Sequence, residues 1–453
     1  MRQATIRSVE WKRPNAEAEQ LSRAVASRLR AAGHRAYLVG GSVRDLLLGV
    51  APKDFDISTD ARPDRLLSLF PGSGTVGAHF GVVLVREGAA QVEVATFRSD
   101  REYADGRRPT SVGFETDPRA DVLRRDFTIN GLMMNLETGE VLDFVGGRRD
   151  LERRTVRAIG DPEARFAEDH LRLLRAVRFA ARLGFDIEAE TWAAMVRRHE
   201  SILKVAPERV RDELERILTQ GGARRGFELL DASGMLPVLL PEVAAMKGVA
   251  QPPEFHPEGD VWTHTLLLLE NLKGPSSALA WAALLHDVGK PPTFRLADRI
   301  RFDGHAEEGV RLAREILGRL RASHDETEQV AALVANHMRF LDVGRMKEST
   351  LKRFLRQPNF DQHLELHRLD CVSGNGRLEG WEFCRRRLAE LGGEQLKPKR
   401  LLTGADLIAA GYAPGPRFAD ILDAVEDAQL EARVATPEEA LEWVRKRYPQ
   451  EGR

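Results

Sequence analysis

Two carboxylates stand one residue apart, Asp54 and Asp56 in DFDIS, shortly after the glycine pair and arginine of GGSVRD, residues 40–45. In an extended segment, residues two apart point to the same face, so both carboxylates would be presented together while Phe55 turns to the core. Two such groups repel, and without a cation one should take up a proton. Magnesium, typically held by one or two carboxylates plus substrate phosphates, removes that conflict. Gly40 and Gly41 would let the backbone approach a ligand closely. A helix starting near Ser42 would aim N–H groups at an anion, and Arg44 would add a fork of donors. In QVEVATF, Glu93 faces away from Val92 and Val94. If that strand pairs beside the DFD segment, Glu93 becomes a third carboxylate at the metal; taken alone, it is a solvent-facing strand residue.

Three further groups could do chemistry. In RRDFTINGL, residues 124–132, Asp126 and Asn130 could hydrogen-bond sugar hydroxyls and Arg125 could meet phosphate; taken alone, the segment is an ordinary helix start capped by Asp126. A helix over 168–182 would place Asp169 and Arg172 at i and i+3, with Arg175 and Arg178 further along; in isolation these are a solvated ion pair and surface arginines. The third group is His264, the adjacent His286 and Asp287, His305, His337 and Asp370. Imidazoles with carboxylates suit Mn2+, Fe2+, Ni2+, Co2+ or Zn2+. Any one of these histidines alone is better explained as a satisfied, partly buried side chain.

The elements that must position these groups change along the chain. Residues 15–32 read as an amphipathic helix closed by Gly33, and β-branched runs at 36–40, 55–58, 81–87, 91–97 and 142–145 read as strands. After Thr155 strand signals vanish and apolar residues recur at three and four. The expected divisions are an N-terminal helix (1–32), a mixed head (33–155), a helical neck (156–250), a helical body (251–392) and a helical tail (393–453). The proline-rich QPPEFHP at 251–257 is the best linker candidate. The polar, turn-rich RSDREYADGRRPTSV lies between Arg98 and Val112.

With 453 residues, two to four domains are expected, and 42% hydrophobic content suffices for ordinary cores. The net charge of −1 excludes a global field for nucleic acid, so any such surface must be a local patch. Residues 339–357 and 385–400 each carry six basic and two acidic residues, and could contact RNA phosphates. No signal-peptide core or apolar membrane span is read, and Cys371 and Cys384 form no zinc-type pair. These features point to a cytoplasmic chain with reduced thiols and no obligate protein partner.

GGSVRD followed by DFDIS resembles the nucleotidyltransferase head of the DNA polymerase β superfamily. More narrowly, it resembles class II tRNA nucleotidyltransferases and the related bacterial poly(A) polymerases. RRDFTINGL is similar to that family's ribose-recognising segment, and EDHLRLLRAVRFAARLGF to its base-recognising helix. The resemblance implies an α+β protein with a polymerase-β-like head, an all-α neck, an HD-type helical body and a tail. It implies CCA addition to tRNA from CTP and ATP, through two Mg2+ held by Asp54, Asp56 and Glu93. Asp169 and Arg172 would read the Watson–Crick edges of C and A, and Arg175 and Arg178 would meet the triphosphate. The loop after Arg98 is similar to one that helps the pocket change from C to A. EDHLR, where the polymerases have a proline-containing form, favours tRNA as substrate. The histidine set resembles the HD phosphohydrolases, implying one or two metals and possible hydrolysis of RNA 3′-terminal or cyclic phosphates. The segment TGADLIAAGYAPGP resembles a tail found in bacterial tRNA nucleotidyltransferases. Poly(A) synthesis is the alternative enzyme activity. A head serving only as an RNA-binding module for an HD hydrolase is the alternative of another class.

Overall fold

A computed structural model describes residues 16–75, 81–103, 109–254 and 256–450. The start of the expected N-terminal segment, and residues 104–108 of the polar loop, lie outside the described residues. The chain forms two compact units, Met1–Pro241 and Glu242–Arg453.

The first unit is built on a mixed sheet. Its strands are β1 (Ala36–Val39), β2 (Ile57–Thr59), β3 (Gly74–Thr75), β4 (Val82–Glu87) and β5 (Ala90–Thr96). A separate hairpin, β6 (Arg98–Tyr103) and β7 (Pro109–Phe114), follows, so the stretch read as a polar loop is extended and paired on both sides. Then come β8 (Leu132–Met134) and β9 (Val141–Asp143). The seven-stranded order is β3-β4-β5-β2-β1-β8-β9, and β2 with β5 is its one parallel pair, aligning Ile57 with Val94. The helix Ala16–Ala31 buries Ala18, Leu21, Val25 and Leu29, a three-and-four spacing that gives one apolar face.

Two details differ from the sequence reading. The expected helix over 168–182 is broken: one helix, Pro162–Glu168, ends before Asp169 and another, Arg172–Leu183, begins beyond it. Asp169 is extended, its carboxylate accepts from Leu171 N–H, and His170 Nδ1 caps Phe166 O at 2.9 Å. Strands also persist beyond Thr155. Thr155–Val156 pairs in parallel with Asp186–Ile187, and Arg295–Leu296 pairs with Ile300–Arg301. Two-residue strands are too short to show an alternating pattern.

The second unit is helical. The helix Ser277–Leu285 is buried from Ala278 onward, and Ser276 caps its start by accepting from Leu279 N–H. At its end, Gly289 lies against the helix His305–Arg319: a Cβ there would meet His305 O at 2.1 Å and Gly309 N at 2.6 Å. That approach sets the distance between the His286–Asp287 pair and the histidines across from it. In the tail, the helices Arg417–Leu430 and Pro437–Arg447 share a core of Leu407, Ile421, Val425 and Val444. Arg353 and Arg356 of the first basic patch pair with Glu426, at 2.9 and 2.7 Å, so that patch is partly neutralised within the unit. Arg345, Lys347, Arg385, Lys397, Lys399 and Arg400 remain exposed.

Gly289→Ala is expected to cost about 2–3 kcal/mol, because the new methyl meets backbone, which cannot swing aside. A clear fall in the melting temperature of the second unit, followed by calorimetry, would show it; an unchanged transition would mean that the helices separate without cost.

Candidate active site and metal centre

The carboxylates stand at the edge of the sheet's central pair. Phe55 is buried while Asp54 is exposed and Asp56 half-buried, so the two acids share a face opposite the core. Val39 N–H donates to Asp56 O at 3.0 Å, extending the β1–β2 pairing one residue beyond Ile57. Carrying the β2–β5 register back one residue sets Asp56 beside Glu93. Burial, and then the charges of Glu93 and Asp54, push the Asp56 carboxyl up to about 6 against the pull of Arg125. A divalent cation would relieve this crowding, and the oxygen donors fit Mg2+.

Above these acids opens a cavity of about 630 Å³, lined by Gly40, Gly41, Asp54, Asp56, Asp169 and a set of cations. Nine basic side chains and five carboxylates line it, a balance suited to a polyanion. Gly40 has φ 72°, a left-handed conformation that disfavours a side chain, and a Cβ there would come 3.3 Å from Arg125 Nη1.

The cations are held in place by buried acids. Arg44, 2% exposed, donates through Nε to Asp45 at 2.8 Å and through Nη1 to Asn130 Oδ1 at 2.7 Å. Arg125 donates to Asp121, which is fully buried, at 2.9 Å. Arg178 pairs with Glu213 at 2.8 Å, and burial brings its guanidinium down to about 10. Arg44, Arg175 and Arg178 all lie over the ring of Phe179, at 5.2, 5.3 and 4.5 Å. Cation–π contact of this kind favours charge where water is scarce.

Asp126 lines the cavity and is also held by the protein. Its Oδ1 accepts from Phe127 N–H and Asn130 Nδ2, and its Oδ2 from Arg175 Nε at 2.8 Å and Nη2 at 2.6 Å. Both of its oxygens are thus engaged by protein, and it anchors Arg175 and Asn130. Burial would raise this carboxyl, but Arg175, Asn130 and Phe127 N–H overcome burial and hold it at about 2. Asp169 and Arg172 both line the cavity without pairing with each other. Asp169 Oδ2 accepts from Arg209 at 3.0 Å, and Arg172 donates to Glu168 at 2.6 Å, Arg165 O and Arg124 O. Phe179, Asp121, Glu213 and Arg209 were not singled out from the sequence. Phe179 was within reach, because 172, 175, 179 and 182 form one helical stripe.

In the second unit all six metal-ligand candidates are brought together. His264 is on the helix Val261–Glu270, and Asp370 is on Phe360–Ser373. His286 caps Ser277–Leu285, His305 opens its helix, and His337 follows His324–Asn336. His286, His305 and His337 each donate Nδ1–H to a backbone carbonyl, of Ala283, Phe302 and Val334, which turns their Nε2 lone pairs inward. His305 Nε2 and His337 Nε2 are 3.2 Å apart, each 3.8 Å from Asp287 Oδ1. His286 Nε2, buried without a hydrogen bond, lies 3.2 Å from Asp287 Oδ2. His264 Nε2 is 3.0 Å from Asp370. Converging lone pairs beside buried carboxylates fit one or more divalent transition ions. Glu258, Lys290 and His256, unmarked in the sequence reading, crowd the same cluster.

Sheet, cavity and imidazole cluster define a nucleotidyltransferase head in a chain that also carries an HD-type helical body. Known families agree: the Poly A polymerase head domain matches residues 36–157, the "Probable RNA and SrmB- binding site of polymerase A" 184–247, and the HD domain 260–410. The CCA-adding enzyme of Streptococcus thermophilus is 32% identical over 428 residues, covering 92% of this chain and 94% of that protein. The chain therefore belongs to the family of CCA-adding enzymes. The CCA-adding enzyme of Bacillus pumilus is 44% identical over 198 residues, a match that spans about half of its length, 49%. The crystal structure of the Bacillus stearothermophilus CCA-adding enzyme in complex with CTP superposes with a TM-score of 0.73 at 27% identity, covering 95% of this chain and 98% of that one.

The Asp126 carboxyl, depressed on folding, gives a pH signature. Its pairing with Arg175 stabilises the fold fully above the unfolded pKa near 4, and the contribution of about 2 kcal/mol is lost as pH falls toward 2. Denaturant unfolding of wild type and Asp126→Asn from pH 5 to 2.5 should therefore show the stability gap narrowing. A constant gap would rule out the ion pair as its source.

Proposed function

We propose that the chain adds CCA, or part of it, to the 3′ ends of tRNA from CTP and ATP, without a nucleic-acid template. The observation that carries this reading is one cavity that joins Asp54 and Asp56 to Asp169, Arg172 and an excess of fixed cations. The complex of the Bacillus stearothermophilus relative with CTP supports it. Mg2+ held by Asp54, Asp56 and Glu93 would acidify the attacking 3′-hydroxyl and neutralise the triphosphate, in a two-metal arrangement. Arg44, Arg125, Arg175 and Arg178 orient the phosphates, so that reaction rests on positioning and charge stabilisation. Arg172 reads the base. Its bonds to Glu168, Arg165 O and Arg124 O use both Nη1 donors and one Nη2 donor, leaving Nε–H and one Nη2–H. Two donors match O2 and N3 of cytosine, or N1 of adenine, while Asp169 accepts from the exocyclic amine. Uracil and guanine present the opposite pattern at that amine. tRNA phosphates are held by local cations, including Lys397, Lys399 and Arg400, with salt-dependent affinity.

A second activity is supported by the imidazole cluster. Beside it lies a cavity of about 1160 Å³, lined by His305, His337 and Asp370 together with Phe302, Met338, Leu341 and Arg377. A divalent cation bound there would acidify a water and polarise a phosphoester. The apolar wall and the cation suit a 2′,3′-cyclic or terminal phosphate on RNA, whose removal restores a usable 3′ end.

Single-nucleotide incorporation into tRNAs ending before CCA, after C and after CC, with an unstructured RNA as control, tests the first reading. C then A on tRNA alone, stopping at CCA, is the expected result; long A tails on the control RNA would make the chain a poly(A) polymerase. Asp54→Ala should reduce incorporation by on the order of a hundredfold or more, and intact incorporation would remove the metal reading. His286→Ala should abolish hydrolysis of a cyclic phosphate while leaving incorporation within about twofold, as separate sites require.

A further inference from the structure

Of the four imidazoles in the HD cluster, three are anchored by main-chain carbonyls and one is not. His286 and His337 sit where helices end and carbonyls are free, and His305 reaches back to Phe302 O. His264 lies inside the helix Val261–Glu270 and is fully buried. There the neighbouring carbonyls are occupied: Asp260 O takes His264 N–H, and Val261 O takes Thr265 Oγ1 at 2.9 Å. A ring in that position needs an acceptor from outside the helix. The turn before the helix delivers one: Glu258 Oε1 lies 2.6 Å from His264 Nδ1, and the Glu258 side chain is only 8% exposed. His256 Nδ1 donates to the same oxygen at 2.9 Å, which further fixes the carboxylate.

We infer that Glu258 is a positioning residue of the HD metal centre: it accepts a hydrogen bond from His264 Nδ1–H and thereby aims that ring's Nε2, beside Asp370, as a metal ligand. The inference rests on reading the cluster as a metal centre. A carboxylate on the outer nitrogen fixes both tautomer and ring orientation and raises the basicity of the inner nitrogen. Glu258 Oε2 is buried without a hydrogen-bond partner. A carboxylate so placed costs stability, and its bonds to His264 and His256 offset that cost. His256 is then the brace for Glu258, and the Trp262 side of the helix is left to packing, with Trp262 8% exposed.

The test uses the full chain carrying Asp54→Ala and Asp56→Ala, so that metal uptake reports the second unit. Co2+ affinity is measured by competition with a chromophoric chelator, and the visible bands of bound Co2+ report ligand geometry. Glu258→Gln should weaken Co2+ binding by about 10- to 100-fold and shift those bands, as loss of an outer carboxylate does elsewhere. His286→Ala is the reference and should abolish binding. If His286→Ala still binds Co2+ normally, the metal reading itself falls. If it does not bind while Glu258→Gln keeps affinity and spectrum, the metal reading stands and the positioning role falls. A measurement on the Zn2+-loaded chain with native Glu258 needs no variant to fold. 15N-histidine NMR should find the His264 proton on Nδ1, and a proton on Nε2 overturns the inference.

Discussion

Asp56 and Glu93 are brought level by the parallel pairing of β2 and β5, and the charge of Asp54, two residues earlier, also bears on Asp56. Three carboxylates so placed resist being ionised together, and Asp56 bears the strain with its carboxyl pushed up to about 6. The backbone register sets Asp56 beside Glu93, and the pull of Arg125 does not cancel the crowding. A bound cation or a proton would offset it. The sheet therefore sets a demand for positive charge before any ligand arrives, and the cavity beside Asp54 and Asp56 carries an excess of cations.

That supply is organised as tightly as the demand. Arg44, Arg175 and Arg178 converge on the face of Phe179, and each has its own acid: Asp45, Asp126 and Glu213. A guanidinium held by a buried acid and an aromatic face loses little rotamer freedom when a phosphate binds. Asp126 shows the cost of this order. Its oxygens are engaged by Arg175, Asn130 and its own loop, so it works on the groups around it. The HD cluster follows the same logic with imidazoles: the outer nitrogens are tied down so that the inner ones converge.

Much of this was legible in the sequence, for physical reasons. The alternation around Phe55 and Glu93 has period two, and the histidines recur in apolar helices, so the elements and the residues they present could be read directly. What escaped was set by long-range contact. Nothing local marks Glu213 as the acid that holds Arg178, and Glu258 lies in a turn outside the histidine series read as ligands. The break at Asp169 was hidden because Glu168 to Leu183 keeps a helical spacing of apolar residues. A single extended residue does not disturb that pattern. The basic patch at 339–357 misled in the opposite sense, since part of its charge is neutralised by Glu426, far along the chain.

In the proposed function, the break at Asp169 bears on selectivity. Had the helix run unbroken through 168–172, Asp169 and Arg172 would be neighbours on one face, and opposite charges at that spacing pair with each other. A paired carboxylate and guanidinium present a neutral surface with few free donors or acceptors toward a base. Leaving the helix at Asp169 gives the carboxylate Leu171 N–H and Arg209 as partners, and gives Arg172 a carboxylate and two carbonyls of its own. Each of the two groups proposed to read the base is then held by separate partners. Neither quenches the other, and the donor–acceptor pattern they offer is set by the protein before the nucleotide enters.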